Sequence, residues 1–430
     1  SGPVDSASVL KPLVAKSQSD LVIAQPPTKV VFPKQVAQPA DPPPVQAPQP
    51  GEFVVHEWGT FTSVQALDGT TLEGLHHEDE ELPYFVYGRA DFAHFVGHGK
   101  SMEVMPEPVT QKMETPVIYF YSDVKRDVQV KVDFPQGFIS QWYPAMASFS
   151  PELYGASKIA DGSMTWNVTV DPDIDISRVE AVDPDDIWAP SREVAATPIE
   201  VSGEVEHFIF YRGVGRFELP IRVTTKGDHA SVLNNSLDDV PRVFLLNVTE
   251  TGGQVVDLGS VVAGQALTHP IPAASLSIAV YKEKARNLLA EALEQTGLYT
   301  DEAWSMVNTW SHSYFETPGL RILYVLPRSW TEALLPIEIA PQPDRLERTL
   351  VGRIESITQA QEERATAEIF ELAASDISLY KASDQLFIRL GRFAEPIARR
   401  ACLLIKNAGH THEADYCEEL LPRMHANYDF

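Results

Sequence analysis

The string Val55-His-Glu-Trp-Gly-Thr-Phe-Thr-Ser-Val64 sets an imidazole, His56, beside a carboxylate, Glu57, in a segment rich in strand formers. An imidazole of this kind can ligate a metal or act as a general base when a carboxylate supports it. In a regular strand His56, Trp58 and Thr60 share one face while Glu57 and Phe61 share the other. His56 and Glu57 therefore serve one metal only if Gly59 marks a bulge. The zincin pattern is absent, because it needs a second histidine where Thr60 stands. The sharp expectation is His56 as ligand or base on an open sheet face, with Glu57 or Glu114 as its partner. The same residues also fit a buried His–Thr or His–carboxylate hydrogen bond that fixes strand register.

Asp91, His94 and His98 follow helical spacing, which would put two imidazoles and a carboxylate on one side, as an open zinc or other divalent transition-metal site needs. Gly97 and Gly99 weaken that helix. His56 would be the remaining ligand. The run His76-His-Glu-Asp-Glu-Glu81 suits a surface cation and equally a polar loop before Leu82-Pro83. Asp171, Asp173 and Asp175, followed by Asp183, Asp185 and Asp186, suit calcium or a plain acidic loop. They are no EF-hand, since Ile176 stands where the glycine belongs. No Gly-x-Ser-x-Gly elbow, P-loop or complete dinucleotide fingerprint occurs, so serine-hydrolase, nucleotide and NAD readings have no motif.

The elements that must position these groups change character along the chain. Residues 1–50 form an arm, dense in proline from Pro26 to Pro50, that favours extended polyproline conformations and cannot build a core. From 51 to 279 the pattern is β: Val128, Val130, Val132 and Phe134 alternate with polar residues, as do Met164, Trp166, Val168 and Val170. Arg242–Thr249 and Gln254–Val262 flank a turn at Glu250-Thr-Gly-Gly. This predicts antiparallel sheets packed as a sandwich. From 280 to 430 the period turns helical, with Ala285, Leu288, Leu289, Ala292 and Leu293 on one stripe. Thr300 opens a second helix, and Thr358 with Gln361 forms a capping box. Leu320–Leu326 and Leu346–Ile357 read as buried strands. The fold class is α+β: a β-sandwich-like region, then a mixed region rich in helices.

Cys402 and Cys417 are the only cysteines. They lie nearly level on either side of the turn Asn407–Thr411, so an αα-hairpin there predicts a disulfide and an oxidising compartment, against two buried free thiols. His410 and His412 read as turn and cap residues of that hairpin.

The His-Glu-Trp-Gly-Thr-Phe-Thr motif resembles one shared by a family of exported bacterial proteins of myxobacteria and planctomycetes. Leu82–Tyr87, Met113–Tyr121, Phe134-Pro-Gln-Gly137 with Trp142-Tyr-Pro144, Tyr314–Arg328 and Leu390–Pro396 extend the resemblance across most of the chain outside the arm. It implies kinship and export, and brings no reaction with it.

A net charge of −26 over 430 residues repels phosphate backbones and anionic lipid, so nucleic acid is not expected as a partner. No run of roughly 18 apolar residues occurs, so no membrane-spanning segment is expected. The chain opens at Ser1 with no apolar signal core. The expectation is a removed leader or a start downstream of one, with Ser1–Pro3 open to being a cloning remnant. The arm carries four lysines against three aspartates, a balance of +1, and could lie on the acidic body or a second copy. Two readings follow. One is an exported metal-dependent hydrolase built on His56, Glu57 and Glu114, with Asp91, His94 and His98 as further ligands. The other is a non-catalytic envelope binding or assembly protein that self-associates through residues 1–50. Aromatics near the motifs (Trp58, Tyr84, Tyr119, Tyr121, Trp142, Tyr143) fit a glycan-binding face or sheet cores, and a peptide substrate also stays open. The unusual His-Glu-Trp-Gly string favours the enzyme.

Overall fold

A computed structural model describes residues 47–75, 77, 82–89, 109–151 and 159–426. Strands are numbered β1–β19 and helices α1–α9 along the described chain. The largest sheet runs from edge to edge as β16 (Leu276–Ser277), β14 (Gly252–Val261), β13 (Val240–Val248), β17 (Gly319–Val325), β19 (Arg345–Ser356), β1 (Val54–Gln65), β3 (Gln111–Tyr121), β10 (Phe208–Gly215), β5 (Gly137–Tyr143) and β2 (Tyr87–Gly88). Most neighbours are antiparallel, but β1 pairs parallel with β19. A second sheet holds β11 (Ile221–Lys226), β12 (His229–Asn234) and β15 (Ala266–Pro270). A third holds β18 (Ile337–Ala340), β4 (Arg126–Phe134), β7 (Gly162–Val170), β8 (Ile199–Val201) and β9 (Glu204–Glu206), with β6 (Ser148–Ser150) on β7.

The helices are α1 (Ala189–Arg192), α2 (Ile278–Glu294), α3 (Thr300–Thr309), α4 (Ser311–Phe315), α5 (Arg328–Leu334), α6 (Gln359–Ala373), α7 (Leu379–Leu390), α8 (Ala394–Asn407) and α9 (Thr411–Ala426). The mixed α+β architecture expected from the periodicity is present. Residue 279, however, does not divide the sheets. β17 and β19, from the later segment, insert between β13 and β1 of the earlier one.

Alternation in β1 feeds two cores. Val55 and Phe61 pack with Val130, Val132 and Trp166 of the third sheet. Val54 and Trp58 pack with Leu289 and Leu293 of α2 and Ala303 and Val307 of α3. At the far end Val64 and Ala66 meet Ala365, Ile369, Leu386 and Ala401 of the last helices. With sheets on one side and helices on the other, all twelve residues of β1 are buried, polar ones included. Cys402 of α8 and Cys417 of α9 form a disulfide, as their spacing predicted. Among the described residues no helix is long and apolar enough to cross a membrane.

Candidate functional site

The register of β1 decides which groups can meet. Trp58 sits opposite Val117 but Thr60 opposite Glu114, so Gly59 faces two residues of β3. A bulge does fall at Gly59, but its extra residue is on the partner strand, so it does not bring His56 and Glu57 to one face. Thr115 takes up the extra residue at φ 43°, a strained conformation for a β-branched residue. Gly59 is required because a Cβ there would come within 2.9 Å of the Pro116 backbone. β1 itself keeps its alternation, and His56 and Glu57 stay on opposite faces.

His56 lies on the helix side and is completely buried. Its carboxylate partner is neither Glu57 nor Glu114, which corrects the sequence-based pairing. Nδ1 lies 2.8 Å from Oε2 of Glu302, at the first turn of α3. The same carboxylate accepts from the Tyr121 hydroxyl at 2.7 Å and from the Tyr299 backbone N–H at 2.7 Å, so it also caps α3. Burial and the Glu302 charge push the Tyr121 hydroxyl far above its ordinary pKa. Tyr299 covers the imidazole, ring to ring, at 4.5 Å. Nε2 is buried and makes no hydrogen bond within the described residues. The expected open sheet face is therefore a closed one.

Glu57, on the sheet side, is also completely buried. It accepts from Nε of Arg348 at 2.6 Å and from the Tyr211 hydroxyl. Glu114 belongs to a third network. It accepts from Thr62 at 2.5 Å and from Arg392 at 2.6 Å. Burial alone would raise its pKa, but Arg392, Lys112 and Arg353 outweigh that and hold it at about 2. Arg353 and Arg321 share Glu355 nearby, and the Arg353 guanidinium lies 4.6 Å from the Tyr314 ring centre. Thr62, the contact of Glu114, lies six residues from His56 on one strand, about 20 Å at ordinary strand rise. His56, Glu57 and Glu114 thus occupy three separate places.

The other expected ligands divide between moved and undescribed. Asp91, His94 and His98 lie outside the described residues, as do His76 and residues 78–81. His77 is buried against Glu395 of α8, with Nε2 3.0 Å from the carboxylate. Asp171, Asp175, Asp183 and Asp186 each accept a backbone N–H two residues on, the habit of aspartate in turns. Among the described residues no three His, Cys, Asp or Glu side chains gather as a metal would need. Five of the six aromatics proposed for a glycan face are core residues, and only Tyr84 is exposed. Sequence reasoning missed Glu302, Arg348 and Arg392. Glu302 carried a local signal, as an acid in the first turn of a helix, but nothing pointed across to position 56.

These features define a class: a layered α+β protein whose central sheet buries charged networks on both faces. No known family profile matches the chain, and no curated protein does. Among solved structures, the yeast delta-COP-I mu-homology domain complexed with Dsl1 WxWxV peptide is similar at TM-score 0.25 and 9% identity, over 72% of this chain and 98% of that one. The yeast delta-COP-I mu-homology domain gives TM-score 0.26 and 9% identity over 73% and 98%. The Danio rerio Fcho1 mu homology domain with bound Eps15 peptide gives 0.27 and 6% over 73% and 99%. Likenesses at such TM-scores carry no argument about this chain.

Proposed function

We propose that this chain is an exported, non-catalytic cell-envelope protein that works as a binding or assembly scaffold. Its stacked sheets form the platform, and the proline-rich arm 1–50 acts as tether or exchange element between copies. One observation carries the reading. His56, Glu57 and Glu114, the described residues whose types suggest chemistry, are enclosed in three separate networks that hold layers together. A catalytic base must reach its substrate, and the arrangement around His56 favours a positioning role. Export follows from the resemblance and accords with the disulfide.

The test is metal analysis of the purified full chain. The scaffold reading expects far less than one zinc or other transition-metal ion per chain, unchanged in His56→Gln. A stoichiometric metal that His56→Gln removes while the fold persists would overturn it. Deleting residues 1–50 is expected to change the oligomer size measured by light scattering, and an unchanged size removes the role of the arm.

A second reading, the metal-dependent hydrolase, has one observation in its favour. A ligating imidazole is commonly oriented by a carboxylate on its other nitrogen, and Glu302 holds His56 in that way with Nε2 unpartnered among the described residues. Asp91, His94 and His98 would be its further ligands to zinc or a similar divalent ion. The same metal analysis decides between the two.

A further inference from the structure

Among the described residues, accessible aromatic and charged groups gather away from the motif. A cleft of about 670 Å³ opens between the first half of α2, α3 and the α4 turn. Trp304 stands half-buried on its wall, with the Arg286 guanidinium 5.6 Å from the ring centre. Lys282 pairs with Glu316, which also lies 3.2 Å from His312. The hydrogen bond from Lys282, more than His312, holds the Glu316 carboxyl below its usual range. Arg286 donates to Asn308. These charges are spent on one another. Glu283 and Asn287, one turn apart on α2, and Glu250 of the β13–β14 turn remain exposed around the opening.

The first turn of α2 also lines the cleft, and Ser277 makes no side-chain capping bond to it. The first N–H groups of a helix have no partner within it, and here the cap side chain supplies none. The wall thus offers one aromatic surface, scattered donors and acceptors, and two cations nearly balanced by three carboxylates. That combination suits a ligand with an apolar face and a hydroxyl rim. A chain of −26 disfavours a polyanion.

We propose that this cleft binds a neutral glycan chain, a hexose ring packing against Trp304 while Asn287, Glu283 and the α2 amides bond its hydroxyls. The inference rests on the binding reading above and names its ligand class.

Isothermal titration of the full chain with cellohexaose, chitohexaose and mannohexaose tests it, with polygalacturonate as the anionic comparison. At least one neutral hexaose is expected to bind. Trp304→Ala should weaken it roughly tenfold, in line with the loss of an aromatic contact and its hydrogen-bonded surroundings. Because Trp304 packs partly on the helices, Asn287→Ala and Glu283→Ala, both solvent-facing, give a second arm and should each weaken binding a few-fold. The proposal is overturned if no neutral hexaose binds, if only polygalacturonate binds, or if the α2 variants bind like the parent. Chromatography of the same samples keeps the two readings apart. Binding followed by chain cleavage supports the cleft and refutes the non-catalytic reading, whereas absent binding in a metal-free protein refutes the cleft alone.

Discussion

Glu57 and Arg348 face each other directly in the parallel β1–β19 register, Oε2 to Nε 2.6 Å, at 0% and 1% side-chain exposure. Glu57→Met leaves the guanidinium without its counter-charge between the two sheet layers, and leaves the Tyr211 hydroxyl without its acceptor. Removing one partner of a buried pair costs about 3–5 kcal/mol, because the survivor stays desolvated and unpaired. Arg348→Met should cost a similar amount for the mirrored reason. Replacing both by methionine, with Tyr211→Phe to remove the stranded hydroxyl, leaves only apolar groups of similar volume. Such replacements are commonly neutral or stabilising, so the triple variant should recover most of the single losses. Urea unfolding of the full chain, followed by near-UV circular dichroism, reads the effect as midpoint shifts. Single variants that unfold at the parent midpoint would refute the burial argument. A triple variant no better than the singles would show that the pair does more than neutralise itself.

Further outcomes are expected. Glu114 is held at about 2 by Arg392, Lys112 and Arg353 against the burial that would raise it. A depressed folded pKa contributes stability above the unfolded value that is lost as pH falls towards 2. The pH–stability curve should therefore lose about 3 kcal/mol across that window, a loss absent in Glu114→Gln. Gly59→Ala drives a methyl into the Pro116 backbone and should lower stability by about 1–3 kcal/mol or more in thermal unfolding. Cys402→Ser/Cys417→Ser opens a link spanning 15 residues, worth about 3 kcal/mol. Faster amide exchange in α9 than in β1 would place that loss, and equal acceleration everywhere would contradict a local clamp.

What the sequence disclosed followed periodicity. The alternation of Val128–Phe134 and Met164–Val170 emerges as β4 and β7, paired with each other in register. The capping box at Thr358 and Gln361 forms as read, and the two cysteines meet across the α8–α9 turn. These are local signals, and local geometry settles them. That the sheet continues across residue 279 was hidden for the opposite reason. Whether Leu320 and Leu346 begin a new sheet or join an old one depends on which edge is open, and periodicity holds no information on that. The site suffered likewise. Strand alternation correctly separated His56 from Glu57, but their ionisable partners, Glu302 and Arg348 respectively, come from more than 240 positions away.

The burial of β1 also explains why its motif reads like an active site. A strand covered on both faces has no solvent side on which to place polar groups, so a polar group it retains is costly unless it finds a charged or hydrogen-bonding partner inside. His56, Glu57 and Thr62 each do so, towards α3, β19 and the Glu114–Arg392 pair respectively. The partners belong to elements that must dock on β1 in one register. An apolar strand could slip by two residues and still bury its side chains. Slipping this one would strand the Glu57 carboxylate and the His56 imidazole in a low-dielectric layer. On that argument the dense polar spelling of β1 specifies how the layers assemble, and chemistry on a ligand is to be sought where water can follow, at the cleft beside Trp304.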